Sequence, residues 1–146
     1  MAKFLFLGHG TLRFTTDAGQ VVYVDPYIEG DYSLPADLIL VTHQHFDHNQ
    51  LQLVTQNPGC TVITEKDALV NGVYQSFTVG GVEVRTVPAG NKNHPIDACV
   101  GYILTLDGVQ VYCAGDTSWL DTMPELKALA IDYALLPIDG FYNMDA

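Results

Sequence analysis

Positive charge is scarce in this sequence. Six Lys and Arg stand against 17 Asp and Glu, for a formal net charge of −11. Such a surface repels phosphate backbones and anionic headgroups, which argues against nucleic-acid and membrane-surface partners. Charge of either sign is sparse at 16%, while hydrophobic residues reach 48%, the opposite of a disordered chain. No apolar run approaches the roughly 18 residues of a membrane span. The stretch Phe4-Leu5-Phe6-Leu7 is shorter than a signal-peptide core. Cysteine is limited to Cys60, Cys99 and Cys113, with no CxxC pair. An odd count without metal-knuckle spacing fits reduced thiols, so the expected compartment is the cytoplasm. Low-complexity segments, blocks of like charge, Ser/Pro linkers and fixed-period repeats are also missing. The 146 residues therefore read as one domain.

What is present is mainly strand signal. Lys3 to Leu7, Leu12 to Thr15 and Val21 to Val24 are β-prone runs separated by a Gly-His-Gly turn and by Asp17-Ala18-Gly19-Gln20. Leu38 to Val41 is wholly apolar, as expected of a strand buried on both faces. Asn49 to Gln56 has loose helical spacing and is expected to stop at Pro58-Gly59. Thr61 to Ile63 reads as a strand and Lys66 to Val70 as a turn or two of helix. Hairpins are expected around Gly80-Gly81 and around Asp107-Gly108. Thr122-Met123-Pro124-Glu125 matches a capping box opening a helix with Leu126 and Leu129 on one face. Tyr133 to Leu136 reads as a last buried strand. Many strands with few, late helices point to packed sheets covered by helices.

The chemistry concentrates in His43-Gln44-His45-Phe46-Asp47-His48, which holds three of the five histidines. The segment follows directly on a buried strand. In an extended loop, His43 and His45 point to the same side. Neutral imidazoles with an interleaved carboxylate suit zinc, iron, nickel or manganese at a hydrolytic centre. His94, in Pro88-Ala89-Gly90-Asn91-Lys92-Asn93-His94-Pro95, reads alone as a surface histidine and, beside the first cluster, as a third imidazole ligand. Asp116, in Gly115-Asp116-Thr117, reads either as a turn residue or as a carboxylate able to bridge two cations.

In order and separation, HxHxDH at His43 to His48, the later His94 and the Gly-Asp-Thr at Asp116 resemble the metallo-β-lactamase superfamily of metal-dependent hydrolases. Gly8-His9-Gly10 followed by Asp25-Pro26 is similar to the branch that includes L-ascorbate-6-phosphate lactonase. The resemblance implies an α+β fold, a four-layer αβ/βα sandwich. It also implies one or two divalent metal ions, zinc first, with manganese, iron or nickel also compatible. His43, His45 and His94 are then ligands of one cation, Asp47 and His48 of the second, and Asp116 bridges them. Asp47 and Asp116 are the catalytic carboxylates. Asp25 is implied to support the histidine loop from behind, although it reads equally as a turn aspartate. His9 is implied to lie near the site without ligating, or to be a packed histidine in a glycine turn.

The implied activity is attack by metal-activated water on a small lactone, ester or phosphorylated metabolite, with a phosphodiester as the alternative substrate. The family pattern also has a further histidine beyond the Gly-Asp-Thr motif, and no histidine follows Asp116 here. Residues 1–146 are therefore expected to form a single domain of this type, incomplete at its C-terminus. The alternative function is a metal-binding but inactive truncated domain that self-associates as a homo-oligomer through its unfilled C-terminal edge.

Overall fold

Runs of β-branched and aromatic residues become strands here because they fit a pleated, half-buried surface. A computed structural model describes residues 1–146. The first five strands are β1 (Lys3–Gly8), β2 (Thr11–Thr15), β3 (Val21–Val24), β4 (Ala36–Leu40) and β5 (Gln56–Ile63). They form one sheet in chain order. Its first three strands are antiparallel, and β4 and β5 add in parallel. One turn of helix, α1 (Glu65–Ala68), leads into a small ribbon of β6 (Leu69–Val70) and β7 (Val73–Tyr74). The remaining strands are β8 (Ser76–Val79), β9 (Val82–Pro88), β10 (Val100–Leu106), β11 (Val109–Cys113) and β12 (Tyr133–Leu135). They form a second sheet in the order β12, β11, β10, β9, β8, antiparallel except for the β11–β12 pair.

The two sheets face each other across one apolar core. Leu12, Phe14, Val22, Val24, Leu38 and Leu40 come from the first sheet, and Val82, Val84, Tyr102, Leu104 and Leu106 from the second. Period-2 alternation assigns the opposite faces. On the outer side of the first sheet, Tyr23 and Ile39 pack with Leu51 and Val54 from the 3-10 turn Leu51–Leu53 and its end. On the outer side of the second, Val87, Ile103 and Tyr112 pack with Leu126 and Leu129 of the 3-10 segment Met123–Leu129. The architecture is an α+β sandwich whose outer helical layers are short. No helix is long and apolar enough to cross a membrane.

Four local expectations are corrected. The helical spacing of Asn49 to Gln56 yields only one 3-10 turn, because Gln50 N–H donates to Pro26 O and the chain must return to pair Gln56 with Ala36. Pro58-Gly59 does not end an element: it lies in an irregularity of β5, after which pairing resumes at Leu38 with Thr61. At Thr122 the capping box does not form, and no side-chain cap bond is made. A reciprocal arrangement forms instead at Thr64, whose N–H donates to Asp67 at 2.9 Å. The strand at Tyr133 exists, but as a sheet edge: Tyr133 and Leu136 are exposed rather than buried.

Both sheets deliver their loops to one end. The turn after β1, the loops after β3 and β4, the loop after β9 and the loop after β11 all leave at C-terminal strand ends and converge there. Tyr102 Oη donates to Val41 O at 2.9 Å, and Val100 N–H to Thr42 O at 3.0 Å, so the sheets are tied together beneath the convergence.

Candidate functional site

The loop after β4 begins at Thr42-His43, both about 1% exposed. It is held by Asp25, which follows β3, is 2% exposed, and has a positive φ of 47°. Thr42 N–H donates to Asp25 Oδ1 at 2.7 Å, and Thr42 Oγ1–H donates to Oδ2 at 2.6 Å. With its one proton committed to the carboxylate, the Thr42 hydroxyl can only accept from His43 Nδ1, 2.9 Å away. His48 Nδ1 lies 2.8 Å from Asp25 Oδ2 and likewise donates. The second nitrogens of both rings, His43 Nε2 and His48 Nε2, are buried without any hydrogen-bond partner. A buried polar atom left unpaired is costly, so two in one pocket point to an absent partner. Lone pairs of neutral imidazoles held by hydrogen bonds at their other nitrogen are the ordinary metal-ligand arrangement.

His94 repeats the pattern. Its Nδ1 lies 2.8 Å from Asn91 Oδ1, which turns Nε2 towards Asp116 Oδ2 at 3.2 Å. His43, His45 and His94 bring one ligand atom each within 4.8 Å of one another, a spacing suited to a single cation. Their rings pack edge to face or tilted, at 4.6 to 4.9 Å between centroids. Asp116 stands between this group and the next: Oδ2 faces His94 Nε2 and, at 4.0 Å, His43 Nε2, while Oδ1 lies 3.5 Å from His48 Nε2. The Asp116 loop is fixed by close packing. Gly115 has a φ of 65°, and a Cβ there would lie 2.9 Å from Thr42 Cβ. Gly90 N–H donates to the buried Thr117 Oγ1 at 3.0 Å, joining the Asp116 and His94 loops.

A second set lies alongside. Asp47 Oδ2 is 2.9 Å from His9 Nε2, and Asp47 Oδ1 is 3.9 Å from His48 Nε2. His9, Asp47 and His48 also place one ligand atom each within 4.8 Å of one another. The third such group, Asp25, His43 and His48, is already satisfied through Nδ1 hydrogen bonds and serves as the support.

Burial pushes His43 down to about 4, aided by the neighbouring His48. It lowers His94 as well, against the pull of Asp116. Both rings are thus kept neutral, the form that ligates. At His48 burial also acts downward, but Asp116 and Asp25 outweigh it and raise the group to about 10. Burial favours a neutral Asp116, and the hydrogen bond and charge of His48 outweigh it, so that its carboxyl is lowered. The cluster opens onto a cleft of about 1450 Å³ walled by Phe4, Phe6, Leu136 and Ile138.

Every residue singled out from the sequence, His9, Asp25, His43, His45, Asp47, His48, His94 and Asp116, lies at this one end. Sequence reasoning missed Thr42 and Asn91, and it read Thr117 only as part of the Gly-Asp-Thr motif, where its bond to Gly90 was not visible. Thr42 and Asn91 act through hydrogen bonds to Asp25, His43 and His94, and neither carries a signal of its own.

The family model of the beta-lactamase superfamily domain matches residues 3–146. A UPF0173 metal-dependent hydrolase of Thermococcus kodakarensis is 34% identical over 170 residues, covering 99% of this chain and 75% of that protein. One from Ligilactobacillus salivarius is 30% identical, covering 97% and 74%. A crystal structure from Parabacteroides distasonis, assigned as a metal-dependent hydrolase, superposes with a TM-score of 0.81 at 33% identity, over 98% of this chain and 72% of that one. Fold and site thus define a member of the metallo-β-lactamase superfamily. Within it, the chain belongs to the UPF0173 metal-dependent hydrolases.

Proposed function

We propose that this chain hydrolyses a small lactone, ester or phosphorylated metabolite, in the manner of the L-ascorbate-6-phosphate lactonase-like branch. His43, His45 and His94 would hold one divalent cation, Asp47 and His48 a second, with Asp116 shared. The observation that carries this is the pair of buried, unpaired nitrogens, His43 Nε2 and His48 Nε2, each fixed by a hydrogen bond at Nδ1. When bound, the cations supply positive charge that polarises a carbonyl or phosphoryl group and acidifies water. Asp116, ionised and placed between the two histidine groups, holds them in register. Asp47 is partly exposed at the cleft mouth and accepts the proton released as water attacks. Asp25 and Thr42 keep the histidine loop rigid, which limits reorganisation during reaction. Zinc fits the imidazole-rich set, as do manganese, iron and nickel.

The acidic surface disfavours long nucleic acids, while a small anion would meet the cations rather than the surface. The test combines elemental analysis with a panel of lactones, esters and phosphodiesters. We expect His43→Ala and His45→Ala to abolish tight metal binding and turnover. Unchanged metal content in both would reject the assignment, and turnover of phosphodiesters alone would move the substrate class.

A second reading is favoured by the exposed apolar side chains Phe4, Phe6, Leu136, Ile138 and Phe141. On it, the chain binds metal and self-associates without catalysis. Sedimentation showing a metal-loaded oligomer inert on the whole panel would support it.

A further inference from the structure

His9 is the one histidine that the proposed ligand sets leave unused. It sits in the turn between β1 and β2, between Gly8 and Gly10, with a φ of 53°. Left-handed backbone costs a non-glycine residue roughly 1 kcal/mol or more, and here it sets the direction of the side chain. The side chain is not packed into the core, being 44% exposed. The turn instead aims the ring at the cluster. Its Nε2 is 2.9 Å from Asp47 Oδ2, and its ring meets His48 edge-on at 5.4 Å and Tyr27 at 5.3 Å. Gly10 makes the approach possible, because a Cβ there would stand 2.9 Å from His48 Cε1.

The independent sign of a ligand is His48 Nε2, buried, unpaired and facing the same space. His9, Asp47 and His48 each offer a donor atom within 4.8 Å of the others. We infer that His9 is itself a ligand, completing with Asp47 and His48 the site of a second divalent cation. The inference rests on the metal-binding reading above and changes its donor set. Two imidazoles and one carboxylate, with Asp116 Oδ1 3.5 Å from His48 Nε2, give that cation up to four protein donors from this chain.

The alternative is that His9 only orients Asp47 through the hydrogen bond. Two variants and one spectroscopic readout separate them. The protein is titrated with zinc against a chromogenic chelator, as wild type, His9→Ala and His9→Gln. Wild type is expected to bind two equivalents. His9→Ala should keep the first and weaken the second by more than about a hundredfold, beyond the 10–100-fold typical of supporting residues. His9→Gln can still donate to Asp47, so its second site should be as weak as in His9→Ala. In 15N-labelled protein loaded with 113Cd, His9 Nε2 should show one-bond coupling to cadmium. A restored second site in His9→Gln, or absence of the coupling in a two-metal protein, would overturn the inference and leave the hydrolase reading intact. Binding of one equivalent by wild type would do the same. Failure of wild type to bind any cation would sink both.

Discussion

Asp25→Asn tests the arrangement at its root. The Asp25 carboxylate receives three donors in a nearly water-free pocket: Thr42 N–H at 2.7 Å, Thr42 Oγ1 at 2.6 Å and His48 Nδ1 at 2.8 Å. Asparagine matches its volume and tolerates the positive φ of 47°. What it lacks is the second acceptor. If the amide oxygen stays beside His48, the NH2 group confronts Thr42 N–H. Reversed, the NH2 confronts the Thr42 hydroxyl and donates to His48 Nδ1, forcing the imidazole proton onto Nε2. Either way a buried donor loses its acceptor, at about 1–3 kcal/mol. The reversed orientation also removes the lone pair by which His48 would ligate. We expect cation affinity to fall 10–100-fold, or about 1.4–2.7 kcal/mol, with a similar loss of folding stability. Urea unfolding of the metal-free protein measures the second quantity, and chelator competition the first. An Asp25→Asn variant with wild-type zinc affinity, and stability within about 0.5 kcal/mol of wild type, would show that the carboxylate does not organise the histidines.

Gly10→Ala should displace the His48 ring, since the added Cβ falls 2.9 Å from Cε1. Overpacking of this kind costs about 1–3 kcal/mol, and an unchanged melting temperature together with full metal stoichiometry would contradict the packing. Asp31 accepts hydrogen bonds from Ser33 and from Arg13, which lower its carboxyl to about 2. Its contribution to stability is therefore present above the ordinary carboxylate range and lost as pH falls through about 2, so carboxyl NMR should find a midpoint near 2 that rises in Arg13→Ala. Burial raises the Cys99 thiol to about 12 and raises Cys113 further, while half-buried Cys60 is raised by burial and by Asp37. A thiol reagent should modify Cys60 first, faster as pH rises, and reach the other two only on unfolding. Mass spectrometry showing early labelling of Cys113 would disprove that order.

The sequence made the strands and the metal-type residues legible, for different reasons. Strands such as Val21 to Val24 and Val100 to Leu106 carry their own patterns, since apolar β-branched runs and an Asp-Gly turn act over a few residues. The histidine cluster was legible because three imidazoles in six positions rarely serve packing. Elements decided by distant partners were not. Asn49 to Gln56 has helical spacing, yet the pairing of Gln56 with Ala36 and the bond from Gln50 to Pro26 O override it. Thr122 looked like a cap and Thr64 did not, because a capping residue is defined by where the backbone turns rather than by composition alone.

Asp25 shows the same limit inside the site. Before Pro26 it reads as a turn residue, and only the contacts to Thr42 and His48, 17 and 23 positions away, give it a role. Those contacts also explain why Thr42 was invisible: its hydroxyl matters only by passing one carboxylate's charge to His43. Asn91 does the same for His94 from three residues away. One carboxylate and one amide thus hold the Nδ1 atoms of three histidines, turning His43 Nε2, His48 Nε2 and His94 Nε2 towards Asp116. A chain that merely gathered histidines at a loop would have no need to anchor each ring at Nδ1. Presenting Nε2 three times, on loops from both sheets, is what ligation requires, and it supports the proposed metal centre beyond the HxHxDH spacing alone.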